Sequence, residues 1–229
     1  MLFYPSLSHV GQRPLSNVPL FRQAKFLKSV QELHDLPRES LREIAFAGRS
    51  NAGKSSVINA LADHRQLARV SKTPGRTQLI NYFGLGNGRF LVDLPGYGYA
   101  KVPLATRAPW ARVLGEYLRT REELAGLALV MDARHPMTDL DRALLDWFRS
   151  SGKPVHVLLT KADKLSRSDA IQTLREVRSA LLAEAPNWTA QLFSSLKQTG
   201  IEDAEAVLGA WLADVEREGG PDPEVLEYP

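Results

Sequence analysis

The stretch "EIAFAGRSNAGKSSVINAL", from Glu43 to Leu61, restricts the fold more than any other part of the chain. An apolar run ends in a glycine-rich turn, and a lysine and two serines then open a helical pattern. Within it, "GRSNAGKS" from Gly48 to Ser55 fits G-x-x-x-x-G-K-[ST]. The glycines let backbone N–H groups wrap a phosphate chain, and the start of the helix adds a favourable dipole. In that geometry Lys54 reaches the β- and γ-phosphates and Ser55 offers a hydroxyl to Mg²⁺. The stretch therefore predicts a strand, a phosphate turn and a helix in direct succession.

The rest of the chain repeats the alternation. "LINYFGLG" (Leu79–Gly86) and "GRFLVDLPG" (Gly88–Gly96) read as strands joined at Gly86-Asn87-Gly88. "LALVMDA" from Leu127, "PVHVLLTKAD" from Pro154 and "AQLFSS" complete six strands. Helices are predicted from Lys54, from Leu104 with an interruption at Pro109, from Thr138 to a stop at Gly152, from Ser168 to about Ala185, and from Ile201 to about Val215. Near-continuous apolar strands alternating with helices indicate an α/β fold of three layers. Its mostly parallel six-stranded sheet has one antiparallel edge strand and helices on both faces. Ligands of such sheets bind at the carboxyl ends of the strands, which is where the polar motifs fall. Residues 1–41 are predicted as an N-terminal extension or edge segment, 42–216 as the folded domain, and 217–229 as an acidic, Pro/Gly-rich tail without fixed structure.

Composition narrows the classes. The chain has 229 residues, enough for one domain with extensions, and no cysteine, which excludes disulfides and thiolate metal sites. No apolar run approaches the roughly 20 residues of a membrane span, and the Pro-broken N-terminus lacks a signal-peptide pattern. A cytoplasmic protein that does not engage membranes is expected. The net charge of +3 hides an asymmetry: residues 1–125 carry 18 Lys and Arg against 9 Asp and Glu, and the remainder is acidic. A basic half that contains a phosphate turn suits a nucleotide and, beyond it, nucleic acid; an unevenly charged solvated surface is the plain alternative.

Three further motifs sit at strand ends. In "DLPG", Asp93 can bind Mg²⁺ through water and the Gly96 N–H can meet a γ-phosphate, although D-x-x-G alone also describes a common turn. In "TKAD", Thr160 to Asp163, the Asp163 carboxylate can accept from the N1–H and N2–H₂ groups of guanine. Adenine offers no such pair; a helix N-cap is the other reading. "SSLK", from Ser194, can offer backbone N–H groups to the guanine O6.

Taken with the joined details "GRSNAGKSSVINAL", "KTPGRTQLINYF", "DLPGYGYAKV", "TKADKL" and "FSSLKQTGI", these motifs resemble translation-factor-type P-loop GTPases. Among those, they look like the EngB (YihA/YsxC) family of bacterial ribosome-biogenesis GTP-binding proteins. The resemblance covers roughly Arg42 to Val215. It implies five GTP-contacting segments. These are Gly48, Arg49, Ser50, Asn51, Ala52, Gly53, Lys54, Ser55 and Ser56; Gly75, Arg76, Thr77, Gln78 and Leu79; Asp93, Leu94, Pro95 and Gly96; Thr160, Lys161, Ala162 and Asp163; and Phe193, Ser194 and Ser195. It implies Mg²⁺ on Ser55 and Thr77, slow GTP hydrolysis, and a monomer that engages the large ribosomal subunit or its precursor through ribosomal RNA. Cell division and septation are linked roles. The rivals are a P-loop ATPase or kinase, and a nucleotide-stabilised scaffold for division proteins.

Thr77 also has a physical warrant, because a loop hydroxyl that reaches Mg²⁺ only when the γ-phosphate is present makes a switch. Thr73 is its rival. The segment "GYGYAKVPLATRAPW" would be the second switch, with Gly96 and Gly98 as hinges. Lys72, Arg76, Lys101, Arg107 and Arg112 form a basic set near both switches, suited to RNA phosphates. Tyr97 stands where many GTPases carry a water-orienting glutamine, so hydrolysis is expected to be slow. Asn51 has two readings: a ligand for K⁺ that supplies the charge of an arginine finger, or a cap on its own turn. Thr160 replaces the commoner asparagine and can supply only part of an amide's bonding. The five histidines have no metal-ligand spacing, and His156, inside a strand, reads as a satisfied imidazole. The tryptophans read as core.

Overall fold

The computed structural model describes residues 18–68, 79–98 and 113–213. Seven strands form one sheet: β1 (Lys25–Val30), β2 (Arg42–Gly48), β3 (Ile80–Gly86), β4 (Arg89–Asp93), β5 (Leu124–Asp132), β6 (Val155–Thr160) and β7 (Trp188–Leu192), in the order β1-β3-β4-β2-β5-β6-β7. The helices are α1 (Lys54–Leu61), α2 with residues 113–120 described, α3 (Asp139–Phe148), α4 (Arg167–Glu184) and α5 (Ile201–Leu212).

The sheet has seven strands, not six. The added strand is β1, from the segment read as an extension or edge, and it pairs antiparallel with β3. Because β3 is also antiparallel to β4, β3 alone runs against the other strands, and β1 moves it one place in from the sheet edge. β3 and β4 meet at the expected turn, where Asn87 and Gly88 take φ of 52° and 66°.

The central strands β2, β5 and β6 are buried on both faces, which their unbroken apolar runs require. One face packs Ala45, Leu127, Leu129, Val157 and Phe148 together with α2 and α4; the other packs Phe46, Val130 and Leu158 under α1 and α5. Trp188 is buried, but Trp147 on α3 is 40% exposed, against the expectation of core. α3 begins with a capping box in which Thr138 and Asp141 satisfy each other's backbone groups. α4 is capped by Ser166, whose hydroxyl accepts from the Asp169 N–H at 3.1 Å. Asp163 lies three residues earlier in a short 3-10 turn, so the cap reading of this carboxylate is removed. Among the described residues, no helix is long and apolar enough to cross a membrane.

Candidate functional site

The parallel strands place their carboxyl ends on one rim, and the motifs meet there. At the end of β2, an added Cβ on Gly48 would lie 2.6 Å from the Val130 carbonyl oxygen, so the turn can leave the sheet only from a glycine. Asn51 and Gly53 follow in left-handed conformations, φ 64° and 102°, and bend the backbone around the turn. α1 then starts at Lys54 without a side-chain cap, which leaves its first-turn N–H groups facing the rim. Among the described residues the exposed Asn51 side chain takes no hydrogen-bond partner, so its contribution to the turn is its backbone conformation.

Lys54 Nζ donates to Asp93 Oδ1 at the end of β4, with both side chains largely buried. An ammonium has three donors, so this bond leaves others for phosphate oxygens. The DLPG segment closes back on the turn through its backbone. The Tyr97 N–H donates to Gly48 O at 3.2 Å, and the Ser50 N–H donates to Tyr97 O at 3.0 Å.

The Tyr97 phenol is committed elsewhere. It donates to Asp141 Oδ1 of α3 at 2.7 Å, while Asp141 Oδ2 accepts from the Thr138 N–H and hydroxyl. Burial and then the Asp141 carboxylate push the phenol far above its ordinary pKa, so it stays a neutral donor. Its ring therefore links the segment after DLPG to α3.

The end of β6 reaches the same turn. The Thr160 hydroxyl lies within reach of Ala52 O and of Met131 O, the latter at 3.0 Å; with one proton it serves one carbonyl at a time. Lys161, left-handed at φ 57°, extends its ammonium to Asn51 O at 2.7 Å and to Asp132 Oδ2 at 2.9 Å. Asp132 also accepts from Arg134 Nε at 2.9 Å and Nη2 at 2.7 Å. Burial opposes its charge, but the bonds from Arg134 and Lys161 outweigh that and hold the carboxyl well below the usual range.

Beyond β7, the Ser194 hydroxyl donates to Asp163 Oδ1 at 2.6 Å, and the Ala162 N–H donates to Phe193 O at 3.3 Å. Chiefly through the Ser194 bond, Asp163 sits below its ordinary pKa. Its carboxylate is thus charged and oriented, as an acceptor for two N–H groups of a base must be.

Hydrogen bonds accordingly join Gly48–Gly53, Asp93–Tyr97, Thr160–Asp163 and Phe193–Ser194 into one rim. Ser55 and Ser56 lie in the first turn of α1, Leu94 is buried, and Ser195 follows in the same loop. Gly75, Arg76, Thr77 and Gln78 lie outside the described residues, as do Thr73 and the basic set Lys72, Lys101, Arg107 and Arg112; Leu79 lies just before β3. Asp132, Asp141 and Asn59 escaped the sequence reading. Asn59, buried on α1, brackets the Ala68 backbone, accepting from its N–H at 2.7 Å and donating to its carbonyl at 2.9 Å. Asp132 did carry a signal: a carboxylate ending an apolar strand on the same rim as Asp93.

The sequence model of a family described as 50S ribosome-binding GTPase matches residues 43–161. A protein of Dechloromonas aromatica (strain RCB) named "Probable GTP-binding protein EngB" is 56% identical over 211 residues, spanning 90% of this chain and 96% of its own. A protein of the same name from Methylobacillus flagellatus is 61% identical over 195 residues, 85% of this chain and 94% of its own. Among solved structures, a crystal structure of a probable GTP-binding protein EngB superposes with a TM-score of 0.59 at 23% identity, over 74% of this chain and 98% of that one. A crystal structure of a mutant Era from Aquifex aeolicus, bound to GDP·AlF4⁻, gives 0.60 at 20% identity, over 76% and 57%. At such identities the two structures speak for the fold alone.

Proposed function

Because the chain belongs to the EngB family of GTP-binding proteins, we propose that it is a slowly hydrolysing GTP switch acting in assembly of the large ribosomal subunit. As a P-loop GTPase it converts GTP to GDP and phosphate. The ribosomal part of the reading is carried by one observation, the match of residues 43–161 to a family described as 50S ribosome-binding GTPases. The excess of basic residues in the first 125 supports ribosomal RNA as the contact. The reading includes a cytoplasmic monomer, linked roles in cell division and septation, residues 42–216 as the GTP-binding domain, and the acidic residues 217–229 as a tail.

Base choice is assigned to Asp163, with the backbone of Phe193–Ser195 facing the guanine O6 and Lys161 bracing the phosphate turn. The Ser55 hydroxyl and the Asp93 carboxylate, acting through water, are hard oxygen donors of the kind Mg²⁺ takes beside nucleotide phosphates, and Thr77 is assigned as the loop donor. Bound there, Mg²⁺ would neutralise charge on the nucleotide phosphates. Lys54 adds a second positive charge on the same phosphates. Slow hydrolysis is supported by Tyr97, whose hydroxyl is bonded to Asp141 and so does not orient a water. Asn51, exposed at the turn, is assigned as a K⁺ ligand; equal GTPase rates in KCl and NaCl exclude that role.

The deciding experiment is co-sedimentation of the protein with large-subunit particles in a non-hydrolysable GTP analogue and in GDP. The expected result is retention with the analogue and release with GDP. Equal retention in both refutes the switch.

A further inference from the structure

Behind the loop assigned to the base lies a line of buried polar side chains that touches neither phosphate turn nor Asp163. His156 on β6 is 2% exposed and Gln191 on β7 is 7% exposed. His156 Nδ1 lies 2.7 Å from Thr189 Oγ1, and Nε2 lies 2.8 Å from Gln191 Oε1. The Gln191 amide nitrogen lies 2.6 Å from Gly200 O and 3.4 Å from Leu192 O.

These acceptors fix every donor. Two carbonyls can only accept, so the NH₂ of Gln191 faces them and Oε1 faces the imidazole. Oε1 can only accept, so Nε2 carries the one proton of the imidazole, which burial keeps neutral, and Nδ1 accepts from the Thr189 hydroxyl. The line thus runs in one direction, from Thr189 at the surface through His156 and Gln191 to the Gly200 carbonyl.

Gly200 is the neck of the loop. Its carbonyl also receives the Ala204 N–H, the first bond of α5. Immediately before it, Ser194 and Thr199 exchange two backbone bonds of 3.0 Å, which close the loop that holds Ser194 and Ser195. Gly200 is left-handed, and a Cβ there would lie 2.3 Å from Leu192 O and 2.7 Å from Gln191 Nε2. Glycine is needed so that the amide can reach the neck. An apolar pair would fill a buried sheet face without any desolvation cost, so polar residues here call for a reason. The reason lies where their bonds end, on the loop neck and outside the sheet.

We propose that His156 and Gln191 are positioning residues for base recognition. Through Gly200 they hold the 194–199 loop in the placement from which Ser194 orients Asp163 and the Ser194–Ser195 backbone meets the guanine O6. This rests on the assignment of the base site made above.

The test uses the full chain and measures affinities for GDP, XDP and ADP together with thermal denaturation. Gln191→Leu strands the His156 donor and lowers the melting temperature. The double variant His156→Leu/Gln191→Leu removes both partners and regains most of that loss. The expected result is that its GDP-to-ADP affinity ratio nevertheless stays roughly tenfold below the parent's. A ratio that recovers with the melting temperature overturns the proposal, since that is what a purely structural pair would do. His156→Phe/Gln191→Met, which keeps both side-chain lengths but none of the bonds, gives the same readout if the double leucine variant does not fold. Asp163→Asn is the companion arm. If it fails to move preference from GDP to XDP, the base site itself is misassigned. If it does move it while the double variant keeps the parental ratio, the positioning role alone fails.

Discussion

Strand β2 has a cluster of charge at each end, and the two clusters are built on opposite principles. At its N-terminal end Glu43, fully buried, accepts from Arg121 Nη2 at 2.6 Å and Nε at 3.0 Å, from the Tyr117 hydroxyl at 2.7 Å and from the Tyr82 hydroxyl at 3.2 Å. Arg121 also donates to the Pro37 carbonyl, so this cluster ties the N-terminal segment to β2, β3 and α2. Burial, then the Glu43 charge, push both phenols up and keep them neutral donors. Every strong acceptor position of the carboxylate is filled from within the chain. At the other end, Lys54 meets Asp93, and Lys161 meets Asp132 and Asn51 O, yet among the described residues each ammonium has donors to spare, and α1 begins without a side-chain cap. Buried charge is therefore common to both ends; what separates them, among the described residues, is that the charge on the carboxyl rim of the sheet is left unsaturated.

Four measurements bear on that contrast. Glu43→Ala should lower folding stability by about 3–5 kcal/mol, because it strands a buried guanidinium and two phenols. GDP affinity per folded molecule should not change; denaturant titration with and without GDP separates the two, and a parallel loss of affinity would mean the ends of β2 are coupled. Lys54→Ala should act in reverse, weakening GTP binding by about 2–5 kcal/mol in a fluorescent-nucleotide titration, with a smaller change in folding stability. Asp163→Asn removes a charged acceptor worth about 1.5–3 kcal/mol and should weaken GTP while favouring xanthosine nucleotides in competition; unchanged GTP binding refutes the assignment.

The smallest effect concerns acid. Burial lowers the pKa of His156, so below the unfolded value of about 6.5 the unfolded chain takes up a proton that the folded chain resists. Stability contributed above that value is lost as pH falls toward the folded pKa. Melting temperatures should drop between neutral and mildly acidic pH, and less steeply in His156→Leu. Equal slopes would show that His156 does not contribute.

How legible these features were depended on how far apart their partners lie. β2, β5 and β6 announced themselves because strands buried on both faces must be apolar throughout. β1 did not: "KFLKSV" is an edge, with Phe26 and Leu27 both exposed and the register slipping between Phe26 and Lys28, so no period survives in its sequence. The positions of the Gly48–Ser55 turn, Asp93 and Asp163 were readable because local backbone demands and strand ends fix them. Asp141 was not, since nothing around "TDLD" reveals a tyrosine 44 residues away. Glu43 was likewise invisible as a network, being the first residue of the very stretch that identified the phosphate turn.

From its sequence alone, the chain was committed to a strand–turn–helix succession around Gly48–Ser55, to an α/β sheet around it, and to a carboxylate, Asp163, just past the end of β6. All three follow from short-range rules: glycines where the backbone must turn, apolar periods where strands are covered, carboxylates where strands end. Only the tertiary structure decided that β1 completes the sheet, that the Tyr97 hydroxyl reaches Asp141, that Glu43 is saturated while among the described residues Lys54 meets Asp93 alone, and that His156 and Gln191 end on the loop neck. Those outcomes depend on which distant donors and acceptors packing brings within about 3 Å of one another, and no local period carries that information.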